Sequence, residues 1–325
     1  MKSPLLTLFL ILNLLACEEQ PVTIPDPIIQ VETTRHLQGY PIHFTAELPA
    51  NVNLDDLDFI WGFTDGQTAR GIEVSHIYSE PGTYQVVLTI IGEKSSKSNS
   101  NMITIEPSLE LIESYSLDVD EPSGLSFGLD NRTLWTVSDK SGQVVHLDLQ
   151  GNTLGSLAYQ GTDLEGISFD TRDSTLWLVS ENQATLIHID TNGVELGSQW
   201  IAGVSDGSGL EGIALDPVHS RIFMIKEKDF SALLILDDSL ETQTYQRIGF
   251  APDYSGLYYS NMNDKLWMLS HEASSIYLTD TSGTLLETYA FFMEQPEGVV
   301  FDEVDSIFYI VDDATEKLHL YSFWE

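Results

Sequence analysis

The sequence predicts an all-β protein whose larger part is a β-propeller of five blades, and three observations carry that expectation. One short phrase recurs as Pro122-Ser123-Gly124-Leu125, Leu164-Glu165-Gly166-Ile167, Leu210-Glu211-Gly212-Ile213, Tyr254-Ser255-Gly256-Leu257 and Pro296-Glu297-Gly298-Val299. Its second positions, 123, 165, 211, 255 and 297, are spaced by 42, 46, 44 and 42 residues. A period in the forties with strand-like content marks propeller blades, small sheets that cannot bury both faces alone. Each copy is followed by a continuous apolar run: 134–138, 176–180, 222–226, 266–270 and 308–312. Such runs suit strands buried on both faces between neighbouring blades. Finally, Leu111 to Gly124 aligns without a gap to Leu285 to Gly298. Blade five ends at its third strand, so residues 109–119 are expected to close the ring by pairing an N-terminal strand with the C-terminal blade, removing the open edges.

The remaining elements follow in chain order. Lys2 precedes an apolar run, Leu5 to Leu15, too short to span a bilayer, and residues 1–16 read as a signal peptide. The tetrad Leu14-Leu15-Ala16-Cys17 resembles the lipobox of bacterial lipoproteins. That resemblance implies cleavage before Cys17 and lipidation there, giving a membrane-anchored protein of the bacterial cell envelope, in the outer membrane or at the cell surface. Glu18 and Glu19 resemble export signals of surface lipoproteins. Cys17 is the one cysteine, so no intrachain disulfide can form. Residues 17–27, with Pro21, Pro25 and Pro27, read as a lipidated tether.

Residues 28–107 read as a small β-sandwich. Strand candidates at 28–31, 42–46, 59–63, 84–91 and 102–105 are rich in β-branched and aromatic residues, with turns at Asp65-Gly66 and Pro81-Gly82 and an exposed loop over 92–101. The run from Phe59 through Trp61 and Phe63 to Asp65-Gly66, then His76, Tyr78, Pro81-Gly82 and Tyr84, resembles the polycystic kidney disease (PKD) domain. The resemblance implies an extracellular immunoglobulin-like module that serves as spacer or binding surface. Trp61, Tyr84 and His76 are expected in structural roles. Residues 108–325 form the propeller, where Trp135, Trp177, Phe223, Trp267 and Tyr309 recur at one position and are expected to pack between blades.

Fifty acidic residues stand against 14 basic ones, a formal net charge of −36, which disfavours nucleic acid and anionic surfaces as partners. Inner strands begin at the repeated phrase and second strands run back, so the residues closing the second strands lie at the same end of the ring. These are Asp139, Glu181, Glu227, His271 and Asp313. With Glu165, Glu211 and Glu297 they place a ring of carboxylates at one channel mouth, with Asp163 and Asp253 close by. Crowded carboxylates must take up protons or bind a cation. Oxygen ligands without cysteine favour Ca²⁺ over Mg²⁺ or Mn²⁺, the plain alternative being a solvated acidic channel.

Asp163 to Phe169, the run 176–181, Pro296 to Phe301 and Ile310 to Asp313 together resemble the SdiA-regulated family of propellers. The resemblance implies Ca²⁺ at the channel mouth with Glu165, Glu211 and Glu297 as ligands, while Ser123 and Ser255 depart from the glutamate pattern. Two functions fit. One is a non-catalytic binding module for an unknown protein or small-molecule ligand. The other is a metal-dependent hydrolase of a phosphoester or lactone, with Glu211 or His271 as base. Against the hydrolase, only Lys140, Lys226 and Lys228 could meet a phosphate near the mouth. Asp148-to-Gly151, Asp190-to-Gly193 and Asp280-to-Gly283 resemble fragments of Ca²⁺ loops but are too short, and a hairpin with left-handed glycine explains them.

Overall fold

The computed structural model describes residues 24–49, 52–204, 209–228, 230–237 and 239–324. Signal peptide, Cys17 and the first part of the tether therefore lie outside the described residues. The chain divides into two compact units, one holding Ile42–His76 and Thr83–Ile103, the other everything from Thr104 onwards. Among the described residues no helix is long and apolar enough to cross a membrane.

The first unit is a sandwich, with Ile28–Val31, Ile42–Glu47 and Glu73–His76 in one sheet and Asp58–Phe63, Thr68–Arg70 and the paired strands after them in the other. Ile42–Glu47 alternates buried and exposed side chains, the period-two signature of a half-buried strand. Phe44, Trp61, Phe63, Val86, Leu88 and Ile90 fill the space between the sheets. Trp61 donates its Nε1–H to the Gly71 carbonyl at 2.9 Å, so the indole is buried without an orphaned donor. His76 Nε2 lies 2.7 Å from Asp65 Oδ2, and its ring stacks on Phe63 at 3.8 Å. Both residues are structural, as expected, and Tyr84 is half-buried. Two local expectations change. Strand pairing resumes at Ser96, so the loop expected over 92–101 is confined to its first residues. Ile24 is buried and Asp26 pairs with Lys97 at 2.5 Å, so the described end of the tether packs onto the sandwich.

In the second unit five four-stranded antiparallel sheets follow one another, and four of them are built from consecutive strands. The fifth joins Pro296–Asp302, Ile307–Asp312 and Lys317–Phe323 to Leu109–Ser116. That last pairing runs from Lys317 opposite Ser116 to Phe323 opposite Leu109. It is the ring closure expected from the internal alignment. Inner strands Pro122–Phe127, Leu164–Asp170, Leu210–Asp216, Gly256–Ser260 and Pro296–Asp302 each touch the next around the ring, and the last touches the first.

Five glycines set how close these strands come. A Cβ on Gly124 would sit 2.7 Å from Gly166 Cα, and one on Gly166 would sit 2.9 Å from the Glu211 carbonyl oxygen. One on Gly212 would meet the Leu257 nitrogen at 2.9 Å, and those on Gly256 and Gly298 would collide with the carbonyl oxygens of Glu297 and Ser123. The glycine of the repeated phrase is thus a close-approach residue, each one packed on the backbone of the next blade. Of the recurring aromatics, Trp267, Phe223 and Tyr309 pack between blades as expected, against Phe308 at 4.9 Å, Tyr259 at 5.4 Å and Phe127 at 5.8 Å. Trp135 and Trp177 instead stack on His146 and His188 of their own sheets at 4.1 Å. In the outer hairpins Gly193 and Gly283 take φ of 83°. Asp190 and Asp280 accept N–H groups across those turns, which occupies their carboxylates locally.

Candidate functional site

The repeated phrase aims its second residue by breaking the sheet register. In four blades the ladder slips there, between Pro122 and Leu125, Leu164 and Gly166, Leu210 and Gly212, and Pro296 and Val299. In blade four it begins only at Gly256. A bulge of this kind turns a side chain out of its normal alternation. A second repeated bond fixes the opposite partner. The amides of Asp139, Glu181, Glu227 and Asp313 donate to the carbonyls of Glu121, Asp163, Gly209 and Gln295, at 3.0–3.1 Å. Both sets of residues are therefore held at one end of the ring by backbone geometry.

They enclose a cavity of about 230 Å³. Among the described residues its wall carries nine carboxylates: Glu121, Asp139, Glu165, Glu181, Glu211, Glu227, Asp253, Glu297 and Asp313. Ser123, Ser255 and His271 complete it, and no lysine or arginine lines it. Two groups are tight enough to share one ion: Asp139 with Asp163 and Glu165, and Glu181 with Glu211 and Glu227. In each, ligand oxygens lie within 4.8 Å of one another.

This crowding costs charge. Burial, opposed by the Ser123 hydroxyl and reinforced by Asp139, Asp163 and Glu181, pushes the Glu165 carboxyl up to about 8. Burial and then Asp163 push Asp139 up to about 6. Glu211 and Glu297 are raised well above the carboxylate range, first by burial and then by the surrounding carboxylates. Local counter-charge is scarce. His271 Nδ1 stands 3.5 Å from Glu297 Oε1, and Lys228 reaches Glu227 from outside the wall at 2.6 Å and Glu272 at 3.1 Å. Glu211 is 8% exposed and, among the described residues, accepts no hydrogen bond. Without protons or a cation, the ring of carboxylates repels itself in a low-dielectric space.

A family model described as SdiA-regulated matches residues 112–316, almost the whole propeller. The chain belongs to the SdiA-regulated family. A PKD domain matches residues 25–106, in the expected order. Three solved structures are similar. A virginiamycin B lyase from Staphylococcus aureus is 13% identical, with 74% of this chain and 92% of that one covered, at a TM-score of 0.46. A streptogramin B lyase is 12% identical over 87% and 86% of the two chains, at 0.42. A structural genomics protein of unknown function from Bacteroides thetaiotaomicron is 12% identical over 89% and 81%, also at 0.42.

The seven carboxylates expected to form the ring of this SdiA-regulated propeller reach the cavity wall: Glu165, Glu211 and Glu297 from the phrase, Asp139, Glu181, Glu227 and Asp313 from the second strands. His271 joins them, while Asp163 stays beside the wall, grouped with Asp139 and Glu165. The two serines that replace glutamate are not gaps. Ser123 donates to Glu165 Oε2 at 2.6 Å, and Ser255 donates to the Pro296 carbonyl at 2.7 Å, each tying its blade to the next. In those blades other carboxylates take part, Glu121 in blade one and Asp253 in blade four. Asp253 is buried, accepts the Glu272 amide at 3.1 Å and pairs with the Ser270 hydroxyl. Glu121 escaped the sequence reading. Its signal was available, since positions 121, 163 and 253, two before the phrase's second residue, are all acidic.

Proposed function

We propose that this protein is a lipid-anchored envelope protein whose propeller is a non-catalytic binding module, with Ca²⁺ held at the carboxylate cavity. The PKD domain serves as spacer. One observation carries the reading: among the described residues, nine carboxylates line one cavity of about 230 Å³, and buried Glu211 has no hydrogen-bond donor. A hard divalent cation takes six to eight oxygen ligands, and a wall of carboxylates drawn from all five blades offers that number. Glu165, Glu211 and Glu297 would be ligands from the inner strands; Asp139, Glu181, Glu227 and Asp313 would contribute from the second strands. Binding would release protons from the raised carboxyls and draw the five blades together.

The hydrolase reading loses ground on the lysines. Lys140 pairs with Glu121 at 3.1 Å, Lys228 with Glu227 and Glu272, and Lys226 is 2% exposed with its Nζ on the Lys228 carbonyl. None is placed to meet a phosphate in the cavity. The test compares melting in chelator and in millimolar Ca²⁺ for the wild type and for Glu181→Gln/Glu211→Gln, alongside generic phosphoester and lactone assays. A Ca²⁺-dependent rise in Tm lost in the double variant, with no turnover, is expected. Turnover that disappears in Glu211→Gln while the fold persists would reverse the reading. For the anchor, Cys17→Ser is expected to move the protein from the membrane to the soluble fraction.

A further inference from the structure

We propose that the opposite end of the propeller is a separate binding site, for a small, neutral, amphipathic molecule that carries a hydrogen-bond donor. This is independent of the cation reading. A second cavity, of about 290 Å³, opens where the inner strands turn into the second strands. The glycine ring separates it from the acidic mouth, leaving a void of only about 10 Å³ between the two. The second cavity is therefore blind, the concave form that suits a small molecule better than a protein surface.

Its shape comes from five equivalent inner-strand positions, three after the phrase's second residue. They are Ser126, Ser168, Ala214, Tyr258 and Val300, and all five line it. Small residues in three consecutive blades leave the space open, whereas tyrosine and valine fill the other side. Protein interiors are otherwise close-packed, so an opening of this size between strands needs an occupant or a reason. The polar groups point the same way. Ser126 is satisfied: its Oγ accepts the Phe169 amide at 2.9 Å and donates to the Phe127 carbonyl at 3.1 Å. Ser168, 8% exposed, has no hydrogen-bond partner for its hydroxyl among the described residues and lines the cavity.

Glu303 stands on the wall, receiving one donor from the Tyr258 hydroxyl at 3.4 Å and keeping acceptor capacity for a ligand. No lysine, arginine or histidine among the described residues lines the cavity, so an anion finds no partner, and Asp170, the other acid on the wall, is already paired with Arg172 at 2.7 Å. The rim suits the apolar part of such a ligand. Hairpins joining first and second strands present exposed Leu129, Val218, Met262 and Val304 in four of five blades, and Met262 lines the entrance.

The probe is N-phenyl-1-naphthylamine, neutral and aromatic with one N–H, titrated by fluorescence into the full chain. Variants are compared under identical conditions, so probe held elsewhere on the chain cancels. Saturable binding of one molecule at this site is expected. Ala214→Leu, which fills the space, should weaken it by at least about tenfold. Met262→Lys, a change on an exposed side chain that leaves the fold intact, should weaken it by several-fold. Lys140→Ala, a change on an exposed side chain at the other end, should leave it unchanged. Absence of saturable binding overturns the proposal, as does an affinity that Met262→Lys does not alter. Should Ala214→Leu fail to fold, Met262→Lys decides the matter alone.

Discussion

The two ends of the propeller are built from the same ten strands and differ in how densely they carry charge. At one end the bulged phrase and the closing residues of the second strands converge nine carboxylates. At the other, the same inner strands present Ser126, Ser168, Ala214, Tyr258 and Val300 around a cavity whose rim adds polar residues, Glu303 among them. Between them lies a ring of glycines in backbone contact. Charge at the first end comes from repetition, one position copied blade after blade. Shape at the second end comes from variation, since Ser126, Ser168 and Ala214 differ from Tyr258 and Val300 at equivalent sites. Repetition multiplies a ligand; variation carves a pocket.

If the glycine ring separates the two ends, breaking it should have the largest effect. Gly298→Val would push a side chain onto the Ser123 carbonyl oxygen and the Leu125 nitrogen. A loss of about 3 kcal/mol in urea unfolding is expected, the upper part of the overpacking range. Near wild-type stability would mean that the blades can move apart.

The acidic end should give the protein a pH dependence of its own. Glu165, at about 8, and Asp139, at about 6, have folded-state values above their unfolded ones. The folded chain therefore holds more protons than the unfolded chain between about pH 4.5 and 8, and stability falls as pH rises across that window. Melting of the cation-free protein should drop by several degrees from pH 5 to pH 8, and saturating Ca²⁺ should flatten the profile. A cation-free Tm that rises over the same window would contradict the electrostatics.

Glu211→Gln removes a carboxyl whose ionisation the folded site opposes, so the cation-free protein should gain about 1 kcal/mol near pH 8, read by the same unfolding. The smallest contrast uses an outer hairpin. Asp280 accepts the amides of Ser282 and Thr284 at 2.9 Å, and Asp280→Ala should cost about 1 kcal/mol with no change in Ca²⁺ affinity. A lower Ca²⁺ affinity in Asp280→Ala would show that the turn aspartates bind ions after all.

Much of this was legible in the sequence, for reasons that repetition explains. The period gave five blades, and the alignment of Leu111 to Gly124 with Leu285 to Gly298 gave the closing strand, because a repeat declares its missing piece. Antiparallel strands alone brought Asp139, Glu181, Glu227 and Asp313 to the end that holds Glu165, Glu211 and Glu297. Glu121 was less visible, because blade one carries its acid two residues before the phrase's second position, where Ser123 stands. The glycines were seen as part of a phrase, but their cause, backbone contact with the next blade, is a distance that no single strand contains. The cavity at the far end depends on side-chain size at five separated positions, and only the closed ring sets those side by side.

Calcium titration by calorimetry, on the wild type and on Glu211→Gln near pH 7.5, tests the central claim most directly. Saturable binding with proton release, strongly weakened in the variant, is the result that a cation held among these carboxylates requires. Absence of binding up to millimolar Ca²⁺, or equal binding in both proteins, would leave the nine carboxylates a protonated or solvated channel and contradict the account.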